Sequence, residues 1–321
     1  MRALRYTGNG VVEVVEAPQP ERRPGEVLVR VEASALCGSE RHALSSGLPG
    51  NAGHEACGVL VDPGGTALPE GARVGLSAVV GCGRCPVCRA GRWLHCPEVR
   101  ASSSTGWHAE YVAVHQDALY RTPPHLDATT GVLLAGDSLG VPARAMRRAP
   151  HADGDVVVII GLGPVGLGHV LVRAWFGARV IAIEPSEYRQ RLGRTLGATT
   201  VLRPGDPVEP GAAVVIECSG RPESITRAFD LVRNGGVVVQ SAECHEDVPL
   251  NPSELIIRRE LTYTGSWYFA PEDYDTMVGL LRDGLPVRRM LTHEVPAAAA
   301  PEVVSRFLDG QTGKVVLRWD H

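Results

Sequence analysis

Residues 156–184 constrain this chain more tightly than any other stretch. A continuous apolar run, Val156 to Ile160, reads as a strand buried on both faces. It breaks at Gly161-Leu162-Gly163-Pro164-Val165-Gly166, after which apolar residues recur at helical spacing through Leu167, Val170, Leu171 and Ala174. A second apolar strand, Arg179 to Ile183, ends on Glu184. Strand, glycine turn, helix, strand and carboxylate, in that order, form a dinucleotide-binding fingerprint. Gly161 permits the tight turn, Gly163 lets backbone approach a pyrophosphate, and Gly166 lets helix and strand pack closely. Val165 lies at the helix start, where free N–H groups and the helix dipole favour a phosphate. Glu184 sits eighteen residues past Gly166. Its carboxylate would accept hydrogen bonds from both ribose hydroxyls and repel a 2′-phosphate, so the pattern predicts NAD over NADP. Arg189 is the counterweight, placed to pair with a phosphate or to cover the adenine face.

The 321 residues suggest about two domains with ample core. A net charge of -4 gives no basic footprint for nucleic acid. No apolar run approaches the ~18 residues of a membrane span. The opening residues 1–6 lack the apolar core of a signal peptide, so a cytoplasmic protein is the expectation. Lys314 is the single lysine among 32 Lys and Arg residues, a bias typical of GC-rich bacterial coding. Eight cysteines in a reducing compartment argue for metal or thiol chemistry rather than disulfides.

Residues 10–15 and 27–31 alternate polar and apolar between Pro and Gly punctuation, an antiparallel-strand signal. Further short strands are expected at 58–61, 73–80, 109–114 and 119–121, giving a β-rich unit over roughly the first 137 residues. A helix at 139–149 leads into the first nucleotide-binding strand. Strands at 214–218, 236–241 and 261–266 and a helix at 222–232 continue a βαβ rhythm that requires a parallel sheet covered on both faces. Helices at 273–282 and 301–308 and a strand at 314–319 complete the chain.

Cys82-x2-Cys85-x2-Cys88-x7-Cys96 is the most specific local signal. Four thiolates at short loop spacing close a tetrahedron around Zn²⁺ with no open position, so this site reads as structural. His95 reads as a surface residue rather than a fifth ligand. A second set is scattered. Cys37 follows a strand and precedes Ser39 and His42; Gly53-His54-Glu55 offers an imidazole and a carboxylate; Asp137 stands where the β-rich part ends. One thiolate, one imidazole, one carboxylate and water would make an open, catalytic zinc. Spacing alone leaves that second site undecided against a core thiol and a helix cap.

Cys37-Gly38-Ser39-x2-His42, Gly53-His54-Glu55-x2-Gly58, the four-cysteine loop and the glycine motif together resemble the zinc-dependent medium-chain dehydrogenases of the alcohol, sorbitol and threonine dehydrogenase type. Gly106-x2-Ala109-Glu110-Tyr111, the segment starting at Asp137, Leu261 to Ser266 and Gly313-Lys314-Val315-Val316 extend the likeness collinearly over the chain. The resemblance implies an α/β fold, with a GroES-like β-rich catalytic domain (1–137 and 269–321) and a Rossmann domain, a doubly wound parallel sheet, at 138–268. It implies a catalytic zinc on Cys37 and His54, with Asp137 or Glu55 as carboxylate ligand and Asp137 preferred. It implies Lys314 at the cofactor pyrophosphate, and a homodimer or homotetramer. The implied reaction passes a hydride between a secondary alcohol or ketone and NAD(H), the substrate being a polyol, sugar, cyclitol or amino alcohol. A proton relay would run from the alcohol through Ser39 and the cofactor ribose to His42.

Several positions depart from the family pattern. Glu40 replaces an aspartate expected to support His54, with longer reach. Trp107-His108 replaces Gly-Phe. The segments 42–54 and 96–105 are compact. Two rival readings share the scaffold: a reductase of an activated C=C or imine, which Ser39 and His42 oppose, and a catalytically silent NAD- and zinc-binding protein.

Overall fold

The computed structural model describes residues 1–99 and 106–320. Of the compact segment 96–105, residues 100–105 lie outside that description. The chain opens with an antiparallel hairpin, β1 (Arg2–Gly8) and β2 (Val11–Glu16). The longest strand follows, β3 (Glu26–Ala35), in which Val27, Val29, Val31 and Ala33 alternate inward and are fully buried. A short helix α1 (Arg41–Ser46) precedes β4 (Ala56–Asp62) and β5 (Arg73–Leu76). The expected strand over 73–80 stops at Leu76, where Ser77 turns the chain by donating its hydroxyl to the Val79 carbonyl. The cysteine-rich lobe carries α2 (Pro86–Arg89), and β6 (Tyr111–His115) and β7 (Leu119–Arg121) return to the sheet.

Two helices, α3 (Ala128–Leu134) and α4 (Asp137–Arg148), lead to β8 (Val156–Ile160). Then come α5 (Pro164–Trp175), β9 (Arg179–Ile183), α6 (Glu187–Leu196), β10 (Thr200–Leu202), β11 (Ala212–Glu217), α7 (Pro222–Leu231), β12 (Val232–Gln240) and β13 (Thr262–Gly265). The six strands are parallel in the order β10-β9-β8-β11-β12-β13, so the connection reverses direction beside β8 and opens a crevice at the carboxyl ends. Successive residues of β8 feed opposite faces. Val157 and Ile159 pack into the core shared with α5, while Val158 and Ile160 join Ile225 and Phe229 of α7. A strand buried on both sides needs that unbroken apolar run.

After α8 (Pro271–Arg282), β14 (Leu291–Pro296), α9 (Ala300–Leu308) and β15 (Lys314–Arg318), the chain re-enters the first sheet. Its seven-stranded order is β14-β15-β3-β4-β5-β7, with β6 also paired to β3. The carboxyl-terminal strand therefore lies directly against β3, Val316 opposite Ala35.

The two sheets are joined at several points. The Tyr268 hydroxyl accepts the Ala78 N–H at 2.7 Å, and Tyr268 holds a φ of 51°, a strained conformation for a bulky residue. Phe269 stacks on Tyr120. Ser186 of the α6 N-cap donates to the Gly310 carbonyl at 2.7 Å, and Arg189 Nε donates to that of Thr312 at 3.0 Å. None of the described helices is long and apolar enough to cross a membrane.

Gly161 adopts φ 90°, and a Cβ on Gly166 would fall 1.9 Å from the Gly161 carbonyl oxygen. Backbone cannot yield that distance without moving the turn. Gly166→Ala should therefore destabilise the fold by about 1–3 kcal/mol and weaken dinucleotide binding, measured by urea unfolding and cofactor fluorescence titration. An unchanged unfolding midpoint would contradict the close packing of this turn.

Candidate active site

The cysteine lobe is built from tight turns. Gly83 and Gly91 both take positive φ, and Pro86 starts the short α2. One sulfur from each of Cys82, Cys85, Cys88 and Cys96 lies within 4.8 Å of the others. Backbone N–H groups point at these sulfurs: Cys85 N–H at Cys82 Sγ (3.4 Å), Cys88 N–H at Cys85 Sγ (3.3 Å) and Glu98 N–H at Cys96 Sγ (3.3 Å). Amides of Arg84 and Cys85 pull the Cys82 thiol down to about 7, while burial pushes Cys88 up to about 12. Four thiolates coexist at such spacing only around a cation, and the all-sulfur set fits zinc. His95 is exposed and stands outside the set.

The second cluster forms where β3 and β4 separate. Their antiparallel register pairs Ser34 with Ala56, so Cys37 just beyond β3 and His54 just before β4 emerge on the same side. Asp137, the first residue of α4, comes to meet them from a helix N-terminus, which favours a carboxylate. Its Oδ2 lies 3.4 Å from Cys37 Sγ and 3.3 Å from His54 Nε2. Donor atoms of Cys37, His54, Glu55 and Asp137 all fall within 4.8 Å of one another. Asp137 Oδ1 and Glu55 Oε1 are buried and receive no hydrogen bond. A thiol, an imidazole and carboxylates with spare lone pairs aimed at one space fit a divalent zinc.

Charges around this space are strongly coupled. Burial raises the Cys37 thiol, and neighbouring Asp137 raises it further. Burial would also raise Asp137, but its hydrogen bond and charge interaction with His54 leave it below the usual carboxylate range. Glu55 is raised by burial against the pull of Lys314. Ser39 Oγ lies 3.4 Å from His54 Nε2, and His42 is exposed on α1.

Two expectations about supporting residues are corrected here. Glu40 does not support His54, because its carboxylate is already engaged by the Cys37 N–H at 2.7 Å, by His108 Nε2 at 3.1 Å and by the Tyr6 hydroxyl. The ring of His54 is oriented by a backbone carbonyl, with Nδ1 2.9 Å from Ala52 O. Lys314, expected at the cofactor pyrophosphate, is held by other partners in this structure. It is fully buried, its Nζ 2.5 Å from Glu55 Oε2 and donating to the Leu36 carbonyl at 3.0 Å. Desolvation would lower its ammonium pKa, but Glu55, Cys37 and Asp137 together outweigh that and raise it.

The crevice above the parallel sheet gathers the glycine motif. Gly163 has open space where a Cβ would stand, and Val165 belongs to the first turn of α5. Glu184 is buried at the end of β9, its oxygens accepting the N–H groups of Leu162 (2.6 Å) and Ser186 (2.9 Å). Arg189, expected at a phosphate or over an adenine face, is buried here and bonded to carbonyls of Thr312 and Phe307. Sequence reasoning missed the Glu40–His108 contact, although its signal was present: both positions depart from the family pattern.

A parallel Rossmann-type sheet joined to a β-rich unit, with a closed four-sulfur set and a mixed thiol, imidazole and carboxylate set, defines a zinc-dependent dehydrogenase class. Residues 23–124 match the alcohol dehydrogenase GroES-like domain, and residues 164–283 match the zinc-binding dehydrogenase family. A zinc-binding dehydrogenase from Sinorhizobium meliloti 1021, solved bound to NADP, is 30% identical, with 99% of each chain covered and a TM-score of 0.85. A protein of Aspergillus clavatus described as probable D-xylulose reductase A is 29% identical, over 95% of this chain and 93% of that one. The L-threonine 3-dehydrogenase of Caldanaerobacter subterraneus subsp. tengcongensis is 27% identical, over 95% and 94%. The chain belongs to the zinc-dependent medium-chain dehydrogenase family and is a zinc-dependent oxidoreductase of the alcohol dehydrogenase type.

Metal analysis should find about two zinc ions per chain, from the two donor sets. Cys88→Ser should remove one and make the 82–96 loop the first site of proteolysis, read by mass spectrometry of the digest. Retention of both ions in that variant would dismiss the four-sulfur site.

Proposed function

We propose that this enzyme oxidises a secondary alcohol of the polyol, sugar, cyclitol or amino-alcohol class, reversibly, with NAD. The observation that carries the reading is the meeting of Cys37, His54 and Asp137 around one Asp137 oxygen, with Ser39 in contact with His54. The relatives named for D-xylulose and L-threonine chemistry support a hydroxyl on a carbon flanked by polar groups. We assign domain boundaries at 1–137 with 269–321, and at 138–268.

In this reading Cys37, His54 and Asp137 hold the catalytic zinc, and Cys82, Cys85, Cys88 and Cys96 hold the structural one. Glu55 stands beside the donors, restrained by Lys314, and is close enough to exchange in. Bound there, zinc would supply Lewis acidity to an alcohol oxygen, and NAD would supply the hydride acceptor. The protein's own task is then to position the alcohol and remove its proton. Ser39 Oγ would take that proton while giving up its own, and His42, whose exposed ring meets water, would release it, the ribose hydroxyls of a bound NAD supplying the hydrogen-bonding groups between them. Gly161, Gly163, Val165 and Gly166 would cradle the pyrophosphate of a bound dinucleotide, and Glu184 would take its ribose hydroxyls. A buried carboxylate at Glu184 favours NAD even though the Sinorhizobium relative was solved with NADP.

The outer edge of β13 pairs with no other described strand, and Tyr263 and Trp267 beside it are about two-fifths exposed. That edge supports a homodimer or homotetramer built by strand pairing. Eight free thiols support a cytoplasmic setting.

An NADH-coupled screen over polyols, aminocyclitols, amino alcohols and simple secondary alcohols tests the substrate class. Ser39→Ala should lower kcat for the best substrate by about 10²-fold with zinc content unchanged. Full turnover in Ser39→Ala would remove the relay; reduction of an activated alkene with no alcohol oxidation would favour the reductase instead.

A further inference from the structure

Two of the departures from the family pattern, Glu40 and His108, are each other's partners. His108 Nε2 lies 3.1 Å from Glu40 Oε2, and both side chains are wholly withdrawn from solvent. From this pair, contacts run in two directions. On one side, Glu40 Oε1 accepts the Cys37 N–H at 2.7 Å, which fixes the turn that aims Cys37 Sγ at Asp137. On the other, the His108 ring fills the space beside Gly53, where a Cβ would fall 2.5 Å from ring carbon Cδ2. The same segment grips the loop through its backbone. Trp107 N–H donates to the Gly53 carbonyl at 3.0 Å, and Asn51 Oδ1 accepts both Gly53 N–H and His108 N–H at 3.1 Å. The far ring nitrogen, Nδ1, is 2.8 Å from Ser34 Oγ, which accepts the Trp319 indole N–H at 2.9 Å.

We infer that Glu40 and His108 form a buried strut between the Cys37 turn and the His54 loop, making both of them positioning residues for the cleft zinc. This rests on the reading of Cys37 and His54 as zinc donors. An aspartate at position 40 would lack the reach to His108, and a phenylalanine at position 108 would offer no polar atom to Glu40. The pair therefore works only as a pair. His54 is left to the Ala52 carbonyl for its orientation, and the loop that presents it is held from behind by His108. Supporting groups of this kind typically change metal affinity 10–100-fold when removed.

The test uses the full-length protein and four variants: Glu40→Ala, His108→Phe, the double variant, and Glu40→Gln. Zinc binding is measured by chelator competition, and the thermal midpoint is recorded in parallel. Each single replacement by Ala or Phe is expected to weaken the cleft zinc by about 10–100-fold and leave the four-cysteine zinc in place. The double variant removes the unmatched buried partner and should regain thermal midpoint relative to the singles. It should not regain zinc affinity, because the Cys37 N–H still lacks its acceptor. Glu40→Gln retains an acceptor for that N–H and should bind zinc close to the unaltered protein. Zinc affinity that stays unchanged, or that recovers in the double variant along with the midpoint, overturns the strut and leaves a purely structural pair. If the unaltered protein binds a single zinc at the cysteine lobe, the donor assignment itself fails and the strut falls with it.

Discussion

The structure depends on bringing several potential anions together out of water. Cys37, Glu55 and Asp137 converge with His54 in a space where each desolvated negative charge raises the next. Taking charges from water is expensive unless opposite charge and hydrogen bonds replace hydration. Two compensations are visible. Lys314, fully buried, is matched to Glu55, and His54 is matched to Asp137. One thiol and two carboxylates against one lysine and one imidazole leave a set whose lone pairs face a common point. A divalent cation is the species that satisfies such a set, and the family provides zinc for it.

This requirement explains why the chain returns to its first sheet after completing the second. Lys314 is the first residue of β15, and β15 reaches the site by pairing with β3. A carboxyl-terminal strand docked elsewhere would leave Glu55 buried without a counter-charge. The parallel sheet is coupled to the same site through helices. Asp137 begins α4, and α4 crosses α5 so closely that a Cβ on Gly168 would fall 1.7 Å from the Ser138 carbonyl oxygen. The glycine turn proposed for the pyrophosphate opens α5. Two packed helices thus join the donor cluster to the dinucleotide crevice, and a shift of one is carried to the other. Hydride transfer depends on that mutual placement, since sub-ångström misalignment of reacting atoms is heavily penalised.

Local patterns were legible in the sequence wherever they were self-contained. The unbroken apolar run of β8 and the glycine turn after it need no distant partner to be recognised, nor do four cysteines within one loop. Alternation in β3 was equally plain. What spacing could not supply was the company kept by single residues. Glu40 reads as a shorter aspartate's substitute until His108, 68 residues away in sequence, is seen against it. Lys314 reads as a pyrophosphate contact from the family resemblance, and Arg189 as a phosphate partner or adenine cover from its place just beyond Glu184. In this structure each is engaged by a distant partner, Lys314 by Glu55 within the first sheet and Arg189 by carbonyls of the segment leading into β15. Long-range pairing decided those cases, and a one-dimensional pattern carries no measure of it. Short elements such as β10 and β14 escaped notice for a related reason: three to six residues gain their identity from neighbours in the sheet.

The buried pair of Glu40 and His108 poses an energetic question that its role answers. Exchanging a buried ion pair for apolar side chains of similar volume is often neutral or stabilising. Stability alone therefore gives a weak reason for this chain to hold a carboxylate and an imidazole inside its β-rich core. The Cys37 N–H supplies a stronger one. That group lies at the end of a strand, has left the sheet ladder, and is buried, so it needs an acceptor that no sheet neighbour provides. A carboxylate meets the need with a charge-assisted bond, which is shorter and more directional than a neutral one. Once the carboxylate is there, burial demands a partner for it, and His108 is the side chain whose far nitrogen can also be satisfied, by Ser34. The chain of requirements starts at the Cys37 backbone and ends at Trp319, just past the terminal strand, so the geometry of one turn is anchored on β3 and on the end of β15.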